Sequence, residues 1–355
     1  MDERRVRARE LGIEIGSLTP GPLNAITDVA GVEVGQTTVN WGEPDLPRGA
    51  GPARTGVTVI WPQRDISGEA AVAAGFFALS GTGEMTARSE MEELGQITTP
   101  IVLTNTMNVG IGYDACCRYL VQRGLEGVTI PVVAECDDSW LHDAAGFHLT
   151  HEHVYAALDN ARGGPVEEGC VGSGTGMILY GYKGGIGTSS RLVEAAGQQY
   201  TVGVLVMTNF GRHRRLTIAG VPVGKRLPHP RLAKPESEAE GSCIVVVATD
   251  APLDGRQLAR VAKRAGLGLG RTGSTGGNGS GELLMAFSTT YRLDWSGGLQ
   301  AKPMLQGDAI DNIFEGTVDA TEEAVLNALF MATTTVGRAG HRIEAIPLDA
   351  VRELL

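Results

Sequence analysis

No stretch of this 355-residue sequence approaches the ~18 uninterrupted apolar residues of a membrane-spanning helix. The first residues, Met1 to Glu10, are mostly charged and hold no apolar core of a secretory signal. Cysteine is scarce and odd in number. Cys116, Cys117, Cys136, Cys170 and Cys243 form no C-x-x-C pair, which argues against a disulfide framework and a zinc knuckle. These absences lead to the expectation of a cytoplasmic protein with reduced thiols. Basic charge is short too. With 30 Lys and Arg against 41 Asp and Glu, the net charge is -11, which argues against a nucleic-acid partner because phosphate binding needs a basic surface. Acidic groups suit instead a cationic ligand such as a protonated amine. Neither a Walker loop nor a G-x-S-x-G nucleophile elbow occurs.

What is present is a soluble, globular composition, 42% hydrophobic and 5% aromatic, long enough to bury a substantial core. Glycine is abundant, at 50 residues, and clusters in short runs that punctuate turns and close backbone approaches. Short β-branched runs at 57–60, 101–103, 130–133, 202–206 and 243–248 read as buried strands. Leu258, Val261, Ala262 and Ala265 fall at helical spacing. So do Val325, Leu326, Ala328, Leu329 and Ala332, behind a Thr321 placed to cap that helix. The pattern is one of sheets covered by helices in a single domain over 1–355. The polar stretch 226–241 reads as an exposed loop.

The most informative segment is Arg271 to Glu282, where a glycine-rich run ends in Asn278-Gly279-Ser280-Gly281 before the apolar run 283–287. Gly279 has no Cβ to restrict its backbone, so the peptide bond after it can bend toward attack by the Ser280 hydroxyl. An N-to-O shift and hydrolysis would leave an amino-terminal serine. Its own α-amine, with an ordinary pKa of about 7.7–8.0, can then serve as general base. By composition alone a flexible glycine-serine loop is the plainer reading.

Other patterns carry less. Gly268 to Gly273 fits G-x-G-x-x-G but follows a helix rather than a strand, so it is not a dinucleotide fingerprint. The run 171–177 before Tyr180 to Lys183 reads as a hairpin with close backbone packing. His148, His151 and His153 lack metal spacing and read as exposed histidines at a helix start. Glu135, Asp137 and Asp138 follow a buried strand, where carboxylates line a site or simply face solvent.

Together these blocks resemble the self-cleaving aminopeptidases of the DmpA and BapA type, the L-aminopeptidase/D-esterases and β-peptidyl aminopeptidases. Nylon-oligomer hydrolases are more distant members. The similarity runs through 8–12, 19–35, 183–191, 209–211, 248–253, 279–289 and 320–327. It implies an α+β fold, a four-layer αββα sandwich of N-terminal-nucleophile type. It also implies cleavage into a large chain (1–279) and a small chain (280–355) that stay together, and homo-oligomers of such cleaved pairs. The implied activity is removal of small amino-terminal residues from peptides, amides or esters through an acyl-Ser280 intermediate, without metal or cofactor. Carried over by residue, Ser280 matches the nucleophile, Gly279 the residue before the cut and Asn209 an oxyanion-hole amide. Glu135 matches a carboxylate that binds the substrate amine. Thr321 and Glu323 sit near a hydroxyl-and-carboxylate pair that orients the new α-amine, with Asp319 competing. Lys183 matches a lysine near the site.

Asp137 stands where a tyrosine of the oxyanion hole is expected, beside Cys136, and Glu282 where aspartate is common. An ionised carboxylate cannot donate to an oxyanion. Asp137 is therefore assigned to substrate binding. The departure keeps two alternatives open: an ω-amino-amide hydrolase of nylon-oligomer type, or an uncleaved, inactive small-molecule binder.

Overall fold

The computed structural model of the protein describes residues 4–66, 70–228, 230, 241–294, 298–299 and 301–355, so most of the expected loop at 226–241 lies outside the described residues. In chain order the first strands are β1 (Glu33–Trp41), β2 (Ala53–Trp61), β3 (Ala70–Ala78), β4 (Gln96–Ile97), β5 (Ile101–Asn105) and β6 (Val132–Cys136). There follow β7 (Ile178–Leu179), β8 (Tyr182–Lys183), β9 (Ile186–Ala195), β10 (Gln198–Asn209), β11 (Ser242–Thr249), β12 (Gly281–Asp294), β13 (Thr335–Val336) and β14 (Arg342–Ile343). The helices are α1 (Arg88–Leu94), α2 (Val109–Gln122), α3 (His151–Asn160), α4 (Gly255–Thr272), α5 (Asp311–Met331) and α6 (Leu348–Leu354).

A four-stranded sheet, β1-β2-β5-β6, faces a six-stranded one, β4-β3-β12-β11-β10-β9. Helices α2 and α3 cover the first, and α4 and α5 cover the second. This is the αββα sandwich that the resemblance implies. The alternation of β11 shows why its sequence is apolar throughout. Cys243, Val245 and Val247 enter the core under α4 and α5, whereas Ile244, Val246 and Ala248 enter the core between the sheets.

Helix α4 starts on a capping box: the Asp254 carboxylate accepts from Gln257 N at 2.7 Å, and Gln257 Oε1 accepts from Asp254 N at 3.1 Å. Its expected apolar positions are all buried. The G-x-G-x-x-G stretch is the last turn of α4 and its cap. Gly268 lets α4 approach α5, since a Cβ there would lie 2.6 Å from Thr321 Cβ.

Three sequence expectations are corrected. The strand expected at 130–133 is β6, which begins after Pro131, a residue with no N–H to give a ladder. Thr321 does not cap a helix. It lies inside α5, which begins at Asp311, and its Oγ1 donates to Thr317 O at 2.7 Å. From Gly316 onward α5 is buried almost throughout, so the turns that lead into Thr321 carry no exposed polar stripe to mark the helix as already begun. His151 and His153 do open α3, but His148 lies before it, packed near Asp143 and His142. Among the described residues no group of three or more His, Cys, Asp or Glu is arranged to hold a metal.

Candidate active site

Three neighbouring strands bring the site together at one end of the larger sheet. Asn209, the last residue of β10, pairs with Ser242 at the start of β11, and Ser242 pairs with Gly281 at the start of β12. Just before this row, Gly241 O accepts from Gly281 N at 2.9 Å and lies 2.9 Å from Ser280 Oγ. Residues 277–280 form a turn closed by Ser280 N donating to Gly277 O at 3.1 Å. Gly279, at φ 85°, fills the third position, where a type II turn demands the left-handed backbone that glycine tolerates. The chain is continuous through Gly279–Ser280, and the Ser280 hydroxyl sits next to the carbonyl it would attack.

Ser280 Oγ also lies 2.6 Å from Glu282 Oε1. Its single proton goes to the carboxylate, the shorter and charge-assisted partner. Glu282 Oε2 is buried without a partner. Burial raises the Glu282 pKa above the ordinary carboxylate range, partly offset by the hydrogen bond from Ser280. Positions i and i+2 of a strand share a face. That spacing could have singled out Glu282 from sequence; it was noted only as a replacement for aspartate.

Alternation then separates two faces. Ser280 and Glu282 share a face with Leu284, which enters the core under the helices. Asn209 and Ser242 share a face with Met207 and Ile244, which enter the core between the sheets. A cavity of about 750 Å³ is bordered by Glu135, Asp137, Ser242 and Gly279, and a smaller one of about 300 Å³ by Ser280, Glu282 and Asn278. Gly241 borders both. In the continuous chain the Gly279–Ser280 segment thus lies between the hydroxyl's cavity and the larger one.

Glu135 comes from β6 in the opposite sheet. Its Oε1 accepts from Glu84 N at 2.9 Å, and its Oε2 accepts from Thr106 Oγ1. Burial raises its pKa against the effect of those bonds. Gly83 borders the same cavity and packs closely on this carboxylate: a Cβ there would lie 3.1 Å from Glu135 Oε1. The exposed Asp137 carboxylate accepts from Ser139 N at 2.8 Å. The Asp137 carbonyl accepts from Asn209 Nδ2 at 2.8 Å, and Asn209 Oδ1 accepts from Ile178 N at 2.9 Å. The Asn209 amide is therefore held in place with one N–H to spare. Ser242, which sequence reasoning did not single out, borders the larger cavity with a buried hydroxyl that has only the Cys136 thiol beside it.

The remaining expected residues gather elsewhere. Glu323 is fully buried against Arg191 (2.6 Å), Arg9 (3.0 Å) and Asn24 (2.5 Å). Asp319 pairs with Arg271 at 2.6 Å. Thr321 back-bonds within α5. None of these borders the cavities on either side of Ser280. Lys183 Nζ donates to the carbonyls of Gly174, Met177 and Gly184 at 2.8–3.2 Å, pinning the glycine run beneath the β7–β8 hairpin. Burial lowers its pKa.

The model of peptidase family S58 matches residues 24–343. The β-peptidyl aminopeptidase BapA of Sphingosinicella xenopeptidilytica is 46% identical over 372 residues, spanning 98% of this chain and 90% of that protein. The L-aminopeptidase D-Ala-esterase/amidase of Ochrobactrum anthropi, described as a prototype of the serine aminopeptidases and a new variant of the Ntn hydrolase fold, matches with a TM-score of 0.91 at 41% identity over 98% of both chains. A Burkholderia sp. β-aminopeptidase matches with a TM-score of 0.89 at 39% identity, over 98% of this chain and 99% of its own. A family match over most of the sequence thus agrees with a buried serine at the head of a central strand, and the chain belongs to peptidase family S58, as a serine-type hydrolase of the N-terminal-nucleophile fold.

Proposed function

We infer that this N-terminal-nucleophile aminopeptidase matures by cutting its own Gly279–Ser280 bond and then uses Ser280 to remove amino-terminal residues from small peptides, amides or esters. The observation that carries the reading is the 2.6 Å contact from Ser280 Oγ to Glu282, made beside the tight turn at Gly279.

In self-cleavage Glu282 takes the hydroxyl proton as Oγ bonds to the Gly279 carbonyl carbon. The C–N bond breaks, and the departing Ser280 nitrogen receives that proton. Water then hydrolyses the ester, leaving a carboxylate on Gly279 and a free hydroxyl and amine on Ser280. In turnover the α-amine of Ser280 accepts the hydroxyl proton, and Glu135 holds the substrate's ammonium. Asn209 and Ser242, on the sheet face opposite Ser280 Oγ, are the candidate oxyanion donors for a carbonyl held in the larger cavity, each such donor typically supporting ~10²–10³ in rate. Ser242 thereby takes the part that Asp137 cannot play. Small L-, D- or β-residues at the amino terminus are the preferred substrates, a choice supported by the names of the relatives. Assembly of cleaved pairs into homo-oligomers rests on the family resemblance, and a cytoplasmic location on five free thiols.

The test is intact-mass analysis of the protein beside Ser280→Ala. The expected result is fragments 1–279 and 280–355 from the parent and one intact chain from the variant. A full-length mass for both would overturn the self-processing reading and favour the binder.

A further inference from the structure

The cavity beside Gly279 carries charge of both signs. Glu135 and Asp137 lie along the end of β6, while Arg48 and Arg338 border the same space. Their loops are built into the wall rather than draped over it. The loop bearing Arg48 is held by Asp143 Oδ2, which accepts from Gly49 N at 2.6 Å and Gly51 N at 3.0 Å. Arg338 N donates to Leu141 O at 2.9 Å, and Ala339 N to Pro44 O at 2.8 Å. Both loops thus converge on 141–145, where Ala144 and Ala145 complete that side of the cavity.

Neither guanidinium makes a hydrogen bond or ion pair with another described residue. Among the described residues Arg88 and Arg212 also lack a carboxylate partner, but Arg48 and Arg338 lie together on one cavity. Two unpaired forks facing one cavity offer a site for a planar anion, and a carboxylate matches their geometry.

The geometry points to a carboxylate subsite formed by Arg48 and Arg338, which selects peptides of two or three residues with a free carboxyl terminus. The inference rests on the aminopeptidase reading above and narrows its substrate class. In the larger cavity, which Gly279 rather than Ser280 borders, a substrate whose ammonium meets Glu135 extends its far residue toward the arginines. An extended peptide of that length spans roughly 7–11 Å. A zwitterion then satisfies both ends of the cavity, whereas an amide or ester satisfies only the acidic end.

The experiment uses the full-length protein, with processing confirmed by mass. It compares alanyl-alanine with its carboxamide, β-alanyl-alanine with its carboxamide, and alanine p-nitroanilide. These are run on the parent, on Arg48→Ala, on Arg338→Ala and on the double variant. The parent is expected to favour each free acid over its amide by about five- to tenfold in kcat/KM, through KM, a modest factor because the rim is solvated. In the double variant the ratio falls to about one while amide and anilide rates stay unchanged. Equal rates for acid and amide in the parent, or an unchanged ratio in the double variant, overturn the subsite and leave the aminopeptidase reading intact. Failure of processed parent protein to hydrolyse any of the substrates overturns both.

Discussion

In the proposed self-cleavage, the chemistry at Ser280 depends on one carboxylate two residues away, 2.6 Å from its hydroxyl. Burial strengthens Glu282 as a base, because its ionised form has lost hydration and gains from taking a proton. A raised pKa also means that the base is spent sooner on acidification. The self-cleavage rate should therefore rise with pH while Glu282 ionises, level off above its elevated pKa, and fall as pH drops through it. Glu282→Gln keeps the shape and the hydrogen bond but cannot take the proton, so processing should slow by about 10²–10⁴. Timed intact-mass measurement of newly made protein across pH 4–8 checks both points. Cleavage of the glutamine variant at the parental rate, with an unchanged profile, would assign the proton to another acceptor. The candidate site was proposed from sequence in two ways: Gly279 and Ser280 from backbone chemistry, against a plainer reading as a loop, and Asn209 and Glu135 from the resemblance. Ser242 was not legible, because a serine at a strand start is ordinary until its hydroxyl is found buried beside a cavity with only a thiol for company.

Among the elements, α5 is where sequence reading went furthest astray, for a physical reason. From Gly316 on the helix is buried, so no exposed polar stripe shows it already under way at Thr321, which looked like a cap. The strands were easier. β10 and β11 lie between covered faces, and covered faces select β-branched runs that stand out without any alternation. In the structure Glu323 closes a buried cluster with Arg191, itself fully buried, and with the partly exposed Arg9. Glu323→Gln would leave the Arg191 guanidinium buried without its counter-ion. The expected cost is about 3–5 kcal/mol of folding stability, with self-processing of the folded fraction unchanged. Urea denaturation of the uncleaved Ser280→Ala background, with and without Glu323→Gln, measures the first part. A stable Glu323→Gln enzyme that has lost turnover would instead return Glu323 to the orientation of the α-amine.

For the molecule as a whole, the position of the cut decides what kind of object the mature enzyme is. Residues 280–355 supply β12, flanked in the larger sheet by β3 and β11, and α5, which covers β9 and β10. On the proposed cut, neither product could leave without opening a sheet and a core, so the two chains would remain one folded unit. Denaturation removes that protection. In the uncleaved Ser280→Ala chain, β12 is tethered near β11, and refolding is unimolecular. After cleavage, β12 and α5 must find the large chain by diffusion, and the effective concentration supplied by the covalent link is gone. The recovered fraction of cleaved protein after dilution from urea should therefore depend on protein concentration, while that of Ser280→Ala does not. Far-UV circular dichroism and size-exclusion recovery over a tenfold concentration range read the difference. Concentration-independent recovery from fully cleaved protein would mean that the large chain completes its sheet without β12, against the strand order seen here.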